Sequence, residues 1–181
     1  MNKLPISYKT LLAFYTLLRI KYTIGSIRMM TMDDITDLAT KKSFIRKQAC
    51  FKPLTDRESE GLATLLEDMH FKAGTTIVNE GDPVDSVYLI VSGSADVRHI
   101  TVSPTGLESH SVATLNPGDS IGLNDTGFYS LTGLRTATVV ALTDMHLLSL
   151  NIAEFHGFAL ANSHVHAVMR KNAEDKLDSN I

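Results

Sequence analysis

Cysteine is nearly absent from this sequence, since Cys50 is the single cysteine among 181 residues. One thiol cannot form an internal disulfide, and structural disulfides belong to oxidising compartments. Zinc sites that use paired cysteines are excluded for the same reason. The sequence therefore predicts a cytoplasmic protein in which Cys50 behaves as a small apolar residue.

An excess of positive charge is also lacking. The formal net charge is −3, whereas a protein that binds nucleic acid broadly normally carries a basic excess. We therefore predict no nucleic-acid partner. The charge is unevenly distributed, because residues 1–32 hold five basic residues and no acidic one, which leaves 12 basic against 20 acidic residues in the rest of the chain.

The motifs of common enzyme and cofactor sites are missing as well. The sequence contains no P-loop, no Gly-x-Ser-x-Gly and no dinucleotide-binding fingerprint. Its His-x-His pair, His164 and His166, falls in a predicted helix, where positions i and i+2 do not face each other. A cupin-like metalloenzyme would need such a pair on a strand, together with a third, distant histidine. We predict a non-catalytic chain with no metal and no cofactor.

A long hydrophobic run is the last absence. The apolar stretch Leu11–Leu18 is flanked by cations, and a membrane span needs about 20 apolar residues. Four interpretations of the basic, apolar segment 1–32 stay open: a helix packed on the main domain, a later translation start, weak membrane association of residues 1–30, or a secretory signal.

Helical patterns flank the central part of the chain. Helices are predicted within 33–70, where Thr55–Glu58 forms a capping box and the apolar spacing continues from Leu62 to Met69. Asn151 is a second predicted cap, and it begins a C-terminal helix over 151–170. The polar tail 171–181 is expected to fray.

Short apolar runs separated by Gly, Pro and Asp fill residues 71–150. They predict a meander of strands in a closed or double-sheet architecture, which protects strand edges. The predicted strands are Thr75–Asn79, Ser86–Val91, Ala95–Thr101, Ser109–Leu115, Ser120–Leu123, Thr136–Thr143 and His146–Leu150.

The turn motifs between these strands resemble a known family. They occur in the order Phe71–Gly74, Glu80–Pro83, Asn116–Asp119 and Leu134–Val139. This order resembles the cyclic-nucleotide-binding domain of catabolite-activator proteins, cAMP-dependent kinase regulatory subunits and gated channels. The resemblance covers residues 51–170 and implies a mainly β fold: a double-stranded β-helix, or jelly-roll-like β-roll, with flanking N- and C-terminal α-helices. The domain would span 33–170.

The resemblance also implies a ligand site, with one departure from the family pattern. By resemblance, Arg135 and Thr136 would hold the phosphate of a cyclic nucleotide, and Gly122 fits the start of the same cassette. Leu123 stands where the family has a ribose-binding Glu. The candidate site therefore comprises Gly122, Leu123, Asn124, Asp125, Arg135 and Thr136. Asp125 is the residue of the lengthened loop that could replace the missing carboxylate.

These observations predict a non-catalytic ligand sensor that binds cAMP or cGMP and signals to a protein effector through movement of its C-terminal helix. The alternative is a degenerate module that no longer binds nucleotide and serves for dimerisation or docking. Leu123 and the long loop favour the alternative, whereas Arg135 favours the sensor. The choice between cAMP and cGMP stays open, and the apolar face of the last helix is compatible with a homodimer.

Overall fold

Antiparallel strands form the centre of the fold, and the structure, a computed structural model, describes residues 35–104, 106–124, 127–128 and 133–178. The segment 1–32, with its open interpretations, lies outside the described residues. The described residues from Thr36 onwards belong to one compact unit. Its strands are β1 (Glu67–Phe71), β2 (Thr76–Val78), β3 (Ser86–Ser92), β4 (Ala95–Ser103), β5 (Gly106–Leu115), β6 (Ser120–Ile121), β7 (Leu123–Asn124), β8 (Gly127–Phe128), β9 (Thr138–Ala141) and β10 (Met145–Asn151).

The strands build two four-stranded antiparallel sheets. One sheet has the order β1-β10-β3-β6 and the other the order β2-β9-β4-β5, while β7 and β8 form a small separate ribbon. Consecutive strands often lie in different sheets, which is the crossing pattern of a β-roll. The predicted fold class, mainly β with flanking helices, is confirmed.

Strand β3 shows how the sequence fills both sides of the first sheet. Its side chains alternate with period two: Val87 and Leu89 pack towards the helices, and Tyr88 and Ile90 pack between the sheets. Because both faces are covered, the strand is apolar between its terminal residues Ser86 and Ser92. Burying a Leu or Ile side chain contributes about 1.5–3 kcal/mol, so this strand anchors both cores.

In the part of the chain that the structure describes, four α-helices and one short 3₁₀ helix cover one face of the first sheet. They are α1 (Leu38–Lys47), the 3₁₀ helix (Ala49–Phe51), α2 (Asp56–Ala63), α3 (Ile152–Ala161) and α4 (Ser163–Asp178). The predicted capping box is confirmed, since Thr55 Oγ1 accepts from Glu58 N and the Glu58 carboxylate accepts from Thr55 N. Asn151 also caps its helix as predicted, by accepting from the backbone N–H groups of Ala153 and Glu154.

The predicted extent of the N-terminal helices, 33–70, is wrong at both ends. Helix α1 begins only at Leu38, because Asp37 is its N-cap and accepts from Thr40 N. Helix α2 ends at Ala63, and Glu67–Phe71 is strand β1 instead of helix. Strand β10 offers β1 a partner along its full length, from Glu67↔Ser149 to Phe71↔Met145. This pairing outweighs the helical spacing of the apolar residues.

The predicted C-terminal helix, 151–170, is two helices separated at Asn162. The backbone of Asn162 is extended (φ −126°, ψ 93°), and its side chain donates to Phe158 O at 2.8 Å. Asn side chains compete with helical hydrogen bonds in this way. Helix α4 then continues to Asp178, so most of the tail that was predicted to fray is helical.

A buried carboxylate joins α1 to the first sheet. Asp68, on β1, pairs with Lys41 Nζ at 2.8 Å and His146 Nε2 at 2.8 Å, and accepts from Thr36 N at 3.0 Å. Burial alone would raise the pKa of Asp68, but the hydrogen bonds from Lys41, Thr36 and His146 lower that pKa to about 2. The ionised form of Asp68 is therefore part of the folded structure.

Within the described residues, no helix combines the length and hydrophobicity that crossing a bilayer requires.

Candidate functional site

A cavity of about 350 Å³ opens at the end of the β-roll. Most of its walls are apolar, with a few polar side chains among them. The described residues that line it are Val78, Val84, Val97, His99, Val112, Ala113, Leu115, Ser120, Ile121, Gly122, Leu123, Leu134, Arg135, Thr136, Ala137 and Val139. Two of these carry ionisable side chains, His99 and Arg135, so the chemistry of the site depends on them.

Backbone pairing fixes the position of Arg135. The segment before β9 runs antiparallel to the turn after β2, with a bridge between Pro83 and Leu134. Arg135 N donates to Asp82 O at 2.7 Å, and Arg135 O accepts from Gly81 N at 2.9 Å. The turn that was predicted at Glu80–Pro83 therefore holds the arginine in place, although the two segments are far apart in the sequence.

The guanidinium of Arg135 is buried and only partly satisfied. Nη2 donates to Ser86 O at 2.8 Å and lies 3.4 Å from Asp85 Oδ1, while the group sits 5.8 Å from the centre of the Tyr88 ring. Nη1 is buried and has no hydrogen-bond partner among the described residues. A buried donor without a partner costs about 1–3 kcal/mol, more where the donor is charged. The arrangement can therefore accept an anion at Nη1.

Gly122 allows the cavity wall to approach this guanidinium. Its φ is +88°, in the region that favours glycine, and it separates β6 from β7. A Cβ at this position would lie 3.1 Å from Arg135 Nη1 and 3.2 Å from Val87 Cγ1. The predicted single strand Ser120–Leu123 is therefore wrong as one element, because the backbone turns at Gly122.

The other predicted site residues are only partly brought together. Leu123 is buried, lines the cavity and packs with the helix-side core. Thr136 lines the cavity and is exposed. Asn124 pairs through β7 with Gly127 of β8. Asp125, the predicted replacement for the missing carboxylate, lies outside the described residues.

The sequence did not single out a second polar group that the structure places at the cavity. Glu80 Oε2 accepts from Ile100 N at 3.0 Å and lies 3.6 Å from His99 Nδ1. Glu80 N in turn donates to Thr138 Oγ1 at 3.0 Å. In the sequence, Glu80 belonged only to the turn motif Glu80–Pro83. His99 pairs with His110 of β5, and its position in the cavity wall depends on the register of β4 against β9.

Among the residues that the structure describes, no group of three or more His, Cys, Asp or Glu side chains is arranged to hold a metal ion.

Comparison with known proteins identifies the family to which this architecture is related. The sequence profile of the cyclic nucleotide-binding domain matches residues 68–162. The regulatory subunit of cAMP-dependent protein kinase from Colletotrichum orbiculare is 31% identical over 144 residues, which is 77% of this chain and 33% of that protein. The chain thus spans about a third of the length of this curated relative.

Solved structures share the fold. The N-terminal domain of a transcriptional regulator from Streptomyces coelicolor A3(2) superposes with a TM-score of 0.64 at 25% identity, over 76% of this chain and 92% of that domain. The regulatory domain of Toxoplasma gondii PKA, crystallised with cAMP, gives a TM-score of 0.57 at 20% identity, over 68% of this chain and 46% of that one. At this identity, the second likeness concerns the fold alone.

Proposed function

The chain belongs to the family of cyclic nucleotide-binding domains, and from this premise we propose that it is a non-catalytic sensor of a cyclic nucleotide. The ligand enters the cavity at the end of the β-roll, and its phosphate binds at Arg135. Gly122 and Thr136 line the same cavity, and we propose that they border the phosphate, with Asn124 following in β7. The proposed ligand is cAMP, with cGMP as the second candidate.

The observation that carries this proposal is the buried Nη1 of Arg135, which lacks a partner among the described residues. A phosphate oxygen at Nη1 would satisfy it, and a hydrogen bond to a charged group contributes about 1.5–3 kcal/mol. Because Gly122 has no side chain, the phosphate can approach Nη1 closely. The apolar walls then suit the flat, weakly polar body of a nucleotide.

Leu123 sets the expected strength of binding. By resemblance, the family places a carboxylate here for a ribose hydroxyl, and leucine cannot accept that hydrogen bond. The loss amounts to about 1.5–3 kcal/mol, or roughly 10- to 100-fold in affinity. We therefore expect a micromolar sensor unless Asp125 restores the contact. The alternative function, a docking or dimerisation module without nucleotide, is favoured by this same residue.

The signal would leave the site through the start of α3. Arg135 Nη2 binds Ser86 O, and the adjacent Asp85 O accepts from Ile152 N at 2.9 Å. A ligand that draws Arg135 towards the cavity changes this contact and shifts the position of α3. We propose that a cytoplasmic protein effector, or a second copy of the chain, reads this shift.

Calorimetric titration of cAMP and cGMP tests the proposal. We expect micromolar binding to the wild-type protein and a loss of 10-fold or more in Arg135→Ala, because the variant lacks the phosphate-binding group. Arg98→Ala is the matched control: Arg98 pairs with Asp96, does not line the cavity, and its replacement should leave the affinity within twofold. Thermal unfolding of each variant checks that it is folded. A folded wild-type protein that binds neither nucleotide would favour the docking module.

A further inference from the structure

We infer that His99 is a second ligand-binding residue, which contacts the heteroaromatic ring of the ligand while Arg135 holds its anion. This inference rests on the proposed function and adds to it the group that recognises the uncharged end of the ligand. Of the described lining residues, His99 and Arg135 are the two with ionisable side chains.

The sheet register places His99 beside the Arg135 segment. Strands β4 and β9 pair from Ala95↔Ala141 to Arg98↔Thr138. One residue beyond that last pair, β4 continues with His99 and the opposite segment with Ala137, and both line the cavity. The side chain of His99 is 48% exposed, whereas Arg135 is buried. His99 therefore lies at the mouth of the cavity and Arg135 in its wall.

The Glu80 carboxylate lies beside His99. One carboxylate oxygen, Oε2, accepts from Ile100 N at 3.0 Å and lies 3.6 Å from His99 Nδ1, a separation longer than a hydrogen bond. The Ile100 amide lies beyond the last residue pair of β4 and β9, so the carboxylate occupies the place of a strand partner. The backbone N–H of Glu80 donates to Thr138 Oγ1. These two hydrogen bonds fix Glu80 against both segments, and the imidazole of His99 lies next to its carboxylate.

The chemistry of an imidazole fits one part of a nucleotide. The ring stacks on a flat heterocycle, and its nitrogens can donate or accept hydrogen bonds at the edge of that heterocycle. The lining residues around His99 are aliphatic, among them Val97, Val112 and Ala113. Their side chains have no group that could form a hydrogen bond with the edge of a heterocycle. An apolar anion without a heterocycle would gain little from His99.

Calorimetric titration of cAMP tests the inference. For His99→Ala we expect affinity to fall at least about 5-fold. His99→Gln, which keeps a hydrogen-bonding group, should recover part of the affinity. The matched control is His110→Ala, on the neighbouring strand and outside the cavity lining, which should bind as the wild type does.

The outcomes separate the inference from the proposed function. Wild-type affinity in a folded His99→Ala variant, with binding lost in Arg135→Ala, would overturn the role of His99 and leave the sensor intact. Equal losses in His99→Ala and His110→Ala would also overturn it, because the cause would be general damage to the β4–β5 hairpin. No cAMP binding by the wild-type protein would overturn both.

Discussion

At the scale of single residues, Gly122 and Gly118 form a natural matched pair. Both have positive φ, +88° and +97°, and a side chain at either position strains the backbone by about 1–2 kcal/mol. A Cβ at Gly122 meets Arg135 Nη1 at 3.1 Å, whereas a Cβ at Gly118 meets nothing within 4 Å. The two positions therefore separate backbone strain from displacement of the guanidinium.

We predict that Gly118→Ala and Gly122→Ala both lower the free energy of unfolding, by about 1–2 kcal/mol or more. Only Gly122→Ala should also lower cAMP affinity, by about 10-fold, because its new methyl group displaces the guanidinium from the phosphate position. Urea unfolding and calorimetric titration measure the two effects. If the two variants lost affinity equally, strain alone would explain the loss and the contact with Arg135 would be irrelevant.

The candidate site was predictable from sequence only where its residues are close together along the chain. Arg135 and Gly122 stand in short recognisable motifs, and both reach the cavity. Their neighbours did not follow from any local pattern: Ser86, which accepts from Arg135, and Glu80, which lies beside His99, come from segments that only strand pairing brings near. Such contacts depend on register, and the register is set by the whole sheet.

At the scale of secondary-structure elements, the strands with alternating or continuous apolar residues were predicted closely. Strand β1 was not, because its sequence, Glu67–Phe71, is largely polar and exposed, and it is a strand only through its pairing with β10. The break at Asn162 was missed for a related reason. The apolar spacing continues across it, and the interruption depends on one side-chain hydrogen bond to Phe158 O.

Asp68 allows the junction between α1 and β1 to be tested through pH. Its folded-state pKa is about 2, below the ordinary value of 3.8. A carboxyl group whose pKa is lower in the folded state stabilises the fold at pH values above its pKa in the unfolded state. This stabilisation is lost as the pH falls through its pKa in the folded state. A shift of this size corresponds to about 2–3 kcal/mol. The loss should therefore occur between about pH 4 and about pH 2.

We predict that Asp68→Asn lowers the free energy of unfolding by about 2–3 kcal/mol at neutral pH and flattens its decline below about pH 4. Lys41 and His146 would then lack their carboxylate partner. The control is Asp56→Asn, which removes an exposed carboxylate bound to Lys42 and Arg46; exposed pairs of this kind contribute little. Urea unfolding at stepped pH measures both. If the two variants lost the same free energy of unfolding at every pH, the contacts of Asp68 would contribute no more to stability than an exposed ion pair does.

At the scale of the whole molecule, the cavity and the helical face are joined by a short chain of contacts. Arg135 Nη2 donates to Ser86 O, Ser86 is paired with Asn151, and Asn151 caps α3. Helices α3 and α4 in turn pack on α2: Phe158 approaches Gly61, and His164 Nδ1 lies 2.9 Å from Glu58 Oε2. These packed and hydrogen-bonded contacts connect Arg135 to α2, α3 and α4.

This connection predicts where amide hydrogen exchange should change when cAMP binds. We expect altered exchange in the first turn of α3, near Ile152, in addition to slower exchange in the cavity strands, because Ile152 N donates to Asp85 O beside the arginine partner Ser86. Arg135→Ala at the same cAMP concentration is the control and should show neither change. Protection limited to the cavity strands, with α3 unaltered in the saturated wild-type protein, would mean that the ligand binds without moving the helix. In that case binding would stabilise the domain by mass action alone. The C-terminal helices could not carry the signal, because a ligand moves an element only when it binds the protein more tightly with that element in one position than in the other.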